Sequence, residues 1–308
     1  MSAPTVAALD LGSNTLKLTV ATAAADGSLV VLHEDAEITR IGEGLDQNGR
    51  LLDAARARTL KGLTRMVAEA RAKGATEVRA VGTAGLRGAA NAQEFLADVA
   101  AATGVEVEII HGLREAELAF TAPAMAFGPG PVVVMDLGGR STELVAGQGK
   151  QIQGRVSMEI GSVRLTERAL TADPPTPAML EAAAVLAREA LESRPSMPPG
   201  GRLVGVSGTV QALLGLALGE DDIVKVAAIG EGQTLRREQV ATWLQRLSVL
   251  PAKARVRGTI LPPLRADVIL AGMIITLETL DAYQTTAMLV SGRGVRYGLL
   301  YETLSAGA

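Results

Sequence analysis

Val6–Ala21 reads VAALDLGSNTLKLTVA, and Val132–Gly147 reads VVVMDLGGRSTELVAG. Aligned at an offset of 136 − 10 = 126 residues, Val6/Val132, Asp10/Asp136, Leu11/Leu137, Gly12/Gly138 and Leu18/Leu144 are identical, and Thr15 faces Ser141. Each copy is an apolar strand ending in Asp, a turn of small residues and a second apolar strand. A repeat at this distance predicts a duplicated domain that opens with a hairpin. In each turn, Gly and its small neighbours let the backbone come close to an anion and point N–H donors at it. The hydroxyl of Thr15 or Ser141 adds a donor. An Asp would repel a bare phosphate, so the pattern implies a Mg²⁺ ion or an oriented water between them.

Outward from the first copy, strands and helices alternate. A third strand is expected near Leu29–Glu34 and a helix over Leu51–Lys73, ended by Gly74. Val78–Val81 reads as a strand, Asn91 opens a helix that runs to Thr103, and Val105–Ile110 reads as the next strand. A helix follows over Arg114–Ala126, and Gly128-Pro129-Gly130-Pro131 reads as a linker. After the second copy, helices are expected over Thr176–Ser193, Leu235–Leu247, Ala266–Leu280 and Val295–Leu304, with strands at Leu203–Val206 and Ala287–Val290. Ser207-Gly208-Thr209 leads from a strand into a helix, which aims the positive helix end at an anion, or simply caps the helix with a Ser. The alternation predicts an α/β fold. The domains expected are 1–127 and 128–294, with a C-terminal helix at about 295–308 packing back on the first.

Composition narrows the function. Aromatics are 2% of the chain, leaving little to stack on bases, and the net charge of −3 gives no global pull toward nucleic acid or anionic membrane. There are no cysteines and only two histidines, so disulfides, thiolate chemistry and His-rich metal sites are excluded. A metal here is a hard cation on carboxylates and phosphate. No signal-like segment or apolar run of about 20 residues is evident, so a soluble cytoplasmic protein is expected.

The set VAALDLGSNTLKL, VGTAGLRGAANAQEF, IIHGLREAELAF, VVVMDLGGRSTELV, EIGSVRLTE, GVSGTV, LPPLRADVILAG and LVSGRGVRYGLL resembles the exopolyphosphatase / guanosine pentaphosphate phosphohydrolase (Ppx/GppA) family from Val6 to Leu300. The resemblance implies a short form with two ribonuclease-H-like domains, of the actin-like ATPase superfamily, facing across a cleft. It implies Mg²⁺-dependent hydrolysis of polyphosphate or guanosine pentaphosphate, and it suggests a dimer. Matched position by position, Gly12, Ser13, Asn14 and Thr15 form the first phosphate loop, and Gly138, Gly139, Arg140, Ser141 and Thr142 the second. Arg87 and the Ser207, Gly208, Thr209 turn bind phosphate, Asp10, Asp136 and Glu143 stand near the metal, and Glu115 is the base that activates water.

Three positions depart from the pattern. Arg114 replaces the first of two adjacent Glu, and Lys17 stands where another side chain is common. Arg140 occupies the third Gly of the second loop and faces Asn14 in the repeat. If that position needs φ > 0, Arg pays roughly 1 kcal/mol. Its side chain would then enter the phosphate site, to bind substrate or to block it. Beside a polyphosphate hydrolase the sequence therefore leaves open a guanosine pentaphosphate hydrolase, a kinase or ATPase of the same superfamily, and a non-catalytic sensor of polyphosphate or alarmone.

Overall fold

The repeat is built as two matching sheets. The computed structural model describes residues 4–222, 225–226 and 229–306. Gly307 and Ala308, at the end of the expected C-terminal helix, and Met1–Ala3, at the start of the expected first domain, lie outside the described residues. One compact unit runs to Ala119 and resumes at Val295, and the other is Phe120–Gly294. The division falls within the helix Gly112–Ala126 rather than at the Gly-Pro linker.

The first unit carries β1 (Thr5–Leu11), β2 (Thr15–Ala23), β3 (Leu29–Ile38), β4 (Glu77–Gly82) and β5 (Val107–Ile109), in the order β3-β2-β1-β4-β5. β1 pairs antiparallel with β2 and parallel with β4, and β4 runs parallel to β5. Alternation along β1 sends Ala7, Leu9 and Leu11 to one face of the sheet, where they meet Leu63, Met66 and Phe95. Val6 and Ala8 face the other side, against Leu118, Val295 and Leu299. There the helices Gly112–Ala126 and Val295–Ala306 approach closely. A Cβ on Gly298 would lie 2.2 Å from the Leu118 carbonyl oxygen, so only Gly fits.

The second unit carries β6 (Val132–Leu137), β7 (Thr142–Gln148), β8 (Gln151–Met158), β9 (Arg202–Val206), β10 (Thr234–Arg236) and β11 (Ala287–Ser291), in the order β10-β11-β9-β6-β7-β8. β6 is antiparallel to β7 and parallel to β9, and β9 is parallel to β11. Read from β8 inward, the first five strands repeat the pairing of β3-β2-β1-β4-β5. The central helix Ile269–Ala282 is apolar almost all round, and Ile269, Met273 and Ile274 are buried in the same core as Met135, Leu144 and Leu213.

The sequence reading placed most elements within a few residues. It did not name β8, β10 or the helix Ser162–Ala169, and it stopped β3 short of Ile38. The alternation of β8 (QIQGRVSM) is mostly polar, which hid it. Among the described residues no helix is long and apolar enough to cross a membrane.

Candidate active site: two loops and a buried carboxylate

In each unit the parallel strands end together. Asp10 pairs with Val81 on β4, and Gly82 with Ile109 on β5, so the segments after β1, β4 and β5 emerge at one end of the first sheet. These are Gly12–Thr15, Thr83–Arg87 and Ile110–Glu115. In the second unit Asp136 pairs with Val206, which pairs with Ser291. Gly138–Ser141, Ser207–Thr209 and Gly292–Gly294 likewise emerge at one end. The carboxyl ends of parallel strands are where α/β sheets bind ligands.

The two loops close alike. A Cβ on Gly12 would sit 2.9 Å from the Thr15 carbonyl oxygen, and one on Gly138 2.9 Å from that of Ser141. Both turns therefore require Gly. The Gly138 N–H is used within its turn, donating to the Ser141 carbonyl at 3.0 Å. The outer side of each loop is also braced. Gly42 N–H donates to the Ser13 carbonyl at 2.9 Å, and Thr39 and Arg40 N–H donate to that of Asn14 at 3.1 and 3.0 Å. In the second unit Ser162 N–H donates to the Gly138 carbonyl at 3.0 Å, and Val163 and Arg164 N–H donate to that of Gly139 at 2.7 and 3.0 Å. The bracing donors lie just after β3 and β8, beside Ile41-Gly42 and Ile160-Gly161, a further echo of the repeat.

Asp10 and Asn14 are buried, and Asp10 Oδ1 and Asn14 Oδ1 have no hydrogen-bond partner. Burial pushes the Asp10 carboxyl above its ordinary range, while Lys17, its cross-strand neighbour, and Arg296 pull it down. Two acceptor oxygens without donors suit a cation or a donating water. Across the second hairpin Asp136 stands directly opposite Glu143, whose Oε1 accepts from Ser157 Oγ at 2.7 Å. Among the described residues no three His, Asp or Glu gather as a cage. Mg²⁺ does not need one, since it keeps waters and is commonly held by one or two carboxylates plus substrate phosphate.

The base candidate and the arginine candidate meet. Arg87 Nη1 donates to Glu115 Oε2 at 2.8 Å and to the Ile110 carbonyl at 2.9 Å. Glu115 is buried, and Arg87 is turned inward rather than lying on the surface. Gly85 carries this segment onto the first loop, where a Cβ would lie 2.9 Å from Ser13 Cα. The departure at Arg114 is accommodated outside the site, where Arg114 pairs with Glu302 and Glu117. His111 Nδ1 accepts from Arg114 N–H at 3.2 Å, a helix-start contact.

At Arg140 the structure corrects the sequence reading. Among the described residues the non-glycine positions with positive φ are Arg40, Ser207 and Gln284, so Arg140 bears no left-handed strain. Its side chain is 1% exposed and turns onto the helix Ser162–Ala169, where Nη1 lies 3.5 Å from Glu167 Oε2. Burial and neighbouring Arg164 push the guanidinium down to about 10, which leaves it a cation at neutral pH.

At the Ser207 turn the structure shows the helix cap, one of the two readings that the sequence left open. Ser207 has φ 127°, a strained backbone at the strand-to-helix junction. Its Oγ accepts from Thr209 and Val210 N–H at 3.2 and 3.3 Å, so those two donors cap the helix and do not await an anion. Beneath the turn lies Arg265, which sequence reasoning missed although its motif was noted. A Cβ on Gly208 would be 2.8 Å from its Nη2, and Nη1 donates to Thr209 Oγ1 at 3.4 Å. Burial pushes Arg265 down to about 10.

These features define an α/β protein with paired Asp-Leu-Gly loops and a buried Glu–Arg pair beside the first of them. The chain belongs to the Ppx/GppA phosphatase family, whose model matches residues 19–306, from beyond the first loop to the last helix. It is 36% identical over 291 residues to "Exopolyphosphatase 2" of Mycobacterium tuberculosis, covering 90% of each chain. It is 31% identical over 310 residues to "Guanosine-5'-triphosphate,3'-diphosphate pyrophosphatase" of Vibrio cholerae, covering 98% of this chain but 60% of that protein. The crystal structure of the Aquifex aeolicus family member superposes with a TM-score of 0.80 at 30% identity, covering 99% of this chain and 98% of that one.

Proposed function

We propose that the chain is an exopolyphosphatase, releasing orthophosphate from the end of inorganic polyphosphate by attack of water. The observation that carries this reading is the buried Glu115 carboxylate held 2.8 Å from Arg87 at the strand end that also bears the Asp10 loop. A carboxylate fixed at a phosphate loop suits a general base, and a kinase would have no use for one that activates water.

In the proposed reaction the backbone and hydroxyls of the Gly12–Thr15 loop, beside Glu115, bind the terminal phosphate. Glu115 accepts a proton from water as its oxygen bonds to the terminal phosphorus. The bridging P–O bond breaks, and its electron pair leaves on the shortened chain. Arg87 uses Nη1 to orient Glu115, and Nη2 and Nε remain to reach a phosphate oxygen. Each unit has its own candidate carboxylates for Mg²⁺, Asp10 in the first and Asp136 with Glu143 across the hairpin of the second, and the ion when bound would neutralise charge on the phosphates.

Polyphosphate is favoured over a guanine nucleotide for two reasons. The exopolyphosphatase relative matches along nearly its whole length, and aromatic rings for stacking a base are scarce. Phe95 and Phe120 are buried, Trp243 stacks with Arg246 and Tyr283 with Arg194. The test is orthophosphate release from polyphosphate, guanosine pentaphosphate and ATP, side by side with Mg²⁺. The expected result is the highest kcat/KM on polyphosphate. A clear preference for guanosine pentaphosphate moves the assignment to the alarmone, and saturable ATP binding without phosphate release moves it to a kinase.

A further inference from the structure

The strand β3 exposes three large apolar side chains in a row. It ends the sheet order of the first unit, and among the described residues no strand pairs with its outer side. Val30, Val31 and Leu32 are 43%, 40% and 44% exposed. Leu29–Leu32 contains no Lys, Pro or acid, the residues that usually blunt a sheet edge. The other edges are polar. β5 exposes Glu108, β10 exposes Thr234 and Arg236, and β8 exposes Gln151, Gln153 and Arg155.

The repeat shows that the scaffold does not require them. In the first unit Ala21 pairs with Val31 and Val20 with His33, so Leu32 is the extra residue of a bulge. In the second unit Gly147 pairs with Ile152 and Ala146 with Gly154, so Gln153 is the extra residue. Val20 and Ala146 stand 146 − 20 = 126 residues apart, the offset of the two hairpins, so the bulge is repeated with them. Val30 and Leu32 thus occupy the places of Gln151 and Gln153. One bulged edge folds with amides at these places, and folding does not explain apolar side chains on the other. A contiguous apolar patch that the fold does not need marks a contact with another chain.

We propose that two copies of the chain meet at this edge, antiparallel about Val31. A two-fold contact needs a surface that is its own complement, and this strand is one. In that register Val30 faces Leu32 of the second copy, Leu29 faces His33 and Ser28 faces Glu34. Apolar meets apolar, and no acid meets an acid. A centre one residue earlier would set Asp26 opposite Glu34, and a centre at His33 would set Asp35 opposite Val31. The acids that follow Leu32 are balanced within their own chain. Glu34 lies 3.2 Å from Arg296, and Asp35 and Glu37 lie 2.6 and 2.9 Å from Arg65. They do not hold two copies apart. The contact is independent of the reaction proposed above.

Sedimentation equilibrium on the whole chain tests the contact, with a dimer fraction that rises with concentration as the expected result. Val30→Gln together with Leu32→Gln copies the edge of the second unit. The pair is expected to raise the dimer dissociation constant at least about tenfold and to leave the melting temperature unchanged. If the double variant melts early, Leu32→Gln alone replaces it. A second measurement uses the absence of cysteine from the chain. Facing Cα atoms of an antiparallel pair lie about 4.5–5.5 Å apart, within disulfide reach. Val31→Cys, which would meet its own copy at the two-fold axis, is expected to form a covalent dimer on mild oxidation. Gln153→Cys, on the matching edge of the second unit, is the control and should stay largely monomeric. A wild-type chain that is monomeric at every concentration reached overturns the proposal and leaves the edge to a different chain. A dimer that survives both Gln substitutions, or Val31→Cys cross-linking no faster than Gln153→Cys, also overturns it.

Discussion

The first and second units share a scaffold and differ in what hangs from it. Both close an Asp-Leu-Gly turn with the same 2.9 Å approach, and both brace it with backbone N–H groups from the segment after the third strand. Beyond that they part. The first unit follows its loop with Arg87 and Glu115, a charged pair suited to moving a proton. The second follows its loop with a strained Ser207, buried Arg265 and half-exposed Arg293, groups that do not accept protons at neutral pH. The two hairpins are alike in build, and the buried Glu–Arg pair is found beside the first. Asn14 and Arg140 make the same point at one position of the repeat: Asn14 is held at its loop by backbone bonds, whereas Arg140 anchors its loop to the helix behind it.

The division of labour is broken most severely at the base. Glu115→Gln keeps the size of the side chain and its acceptor for Arg87, and it removes the basicity. The expected loss in kcat is about 10²–10⁴-fold, with unfolding temperature and polyphosphate affinity little changed. Retained turnover would show that the first unit does not supply the base.

Next comes the brace of the second loop. A Cβ on Gly161 would lie 2.5 Å from Arg140 N and Gly139 C, backbone atoms that cannot step aside. Gly161→Ala is expected to displace the loop and lower kcat/KM about a hundredfold, since misplacement by an ångström has effects of that order. Gly85→Ala, whose nearest contact is Ser13 at 2.9 Å, is expected to do less harm. Steady-state kinetics on the pair ranks the two loops, and the reverse ranking would contradict the geometry.

Arg140→Gly sharpens the contrast further. Removing a buried guanidinium strips Glu167 of a partner and is expected to cost about 1–3 kcal/mol of stability, read by denaturant unfolding. Phosphate release should stay within about threefold of the wild type, because the side chain points to the helix. Release that appears only in Arg140→Gly would instead mark Arg140 as a block and the wild-type chain as a sensor.

The smallest effect concerns Asp10. Burial raises its carboxyl above the ordinary value of 3.8, so the protonated form suits the fold better. The stability this gives is present below the unfolded-state pKa and is lost as pH rises through the folded-state value. Without added divalent cation, Asp10→Asn should therefore melt higher than the wild type at pH 7, on the order of 2–4 °C, and equally near pH 3. A lower melting temperature at pH 7 would show that the ionised carboxylate is satisfied in the apo protein.

Much of the fold was legible because it repeats. The identities at Asp10/Asp136 and Gly12/Gly138 located both hairpins, and hydrophobic spacing located most helices. The unit division escaped because local composition marked Gly128–Pro131 as a linker, while packing had already changed at Phe120. Phe120 Cζ lies 2.7 Å from where a Gly147 Cβ would be, so that residue belongs to the second sheet. Nothing in the local sequence marked Glu115, which was reached only through the family resemblance, and its meeting with Arg87 is seen only in the fold. Contacts made by distant partners were not legible: Arg265 reaches Thr209 across 56 residues, and Glu231 holds Ser291 across 60. Whether Arg140 needs a positive φ could not be read from its neighbours in sequence, because the helix Ser162–Ala169 sets the backbone there.

Hydrolysis in ¹⁸O-enriched water tests the central claim most directly. With polyphosphate and Mg²⁺, attack of water at the terminal phosphorus places one solvent oxygen in each orthophosphate released and none in the shortened chain. Label in the chain end, or orthophosphate free of label, would contradict water attack at the terminal phosphate.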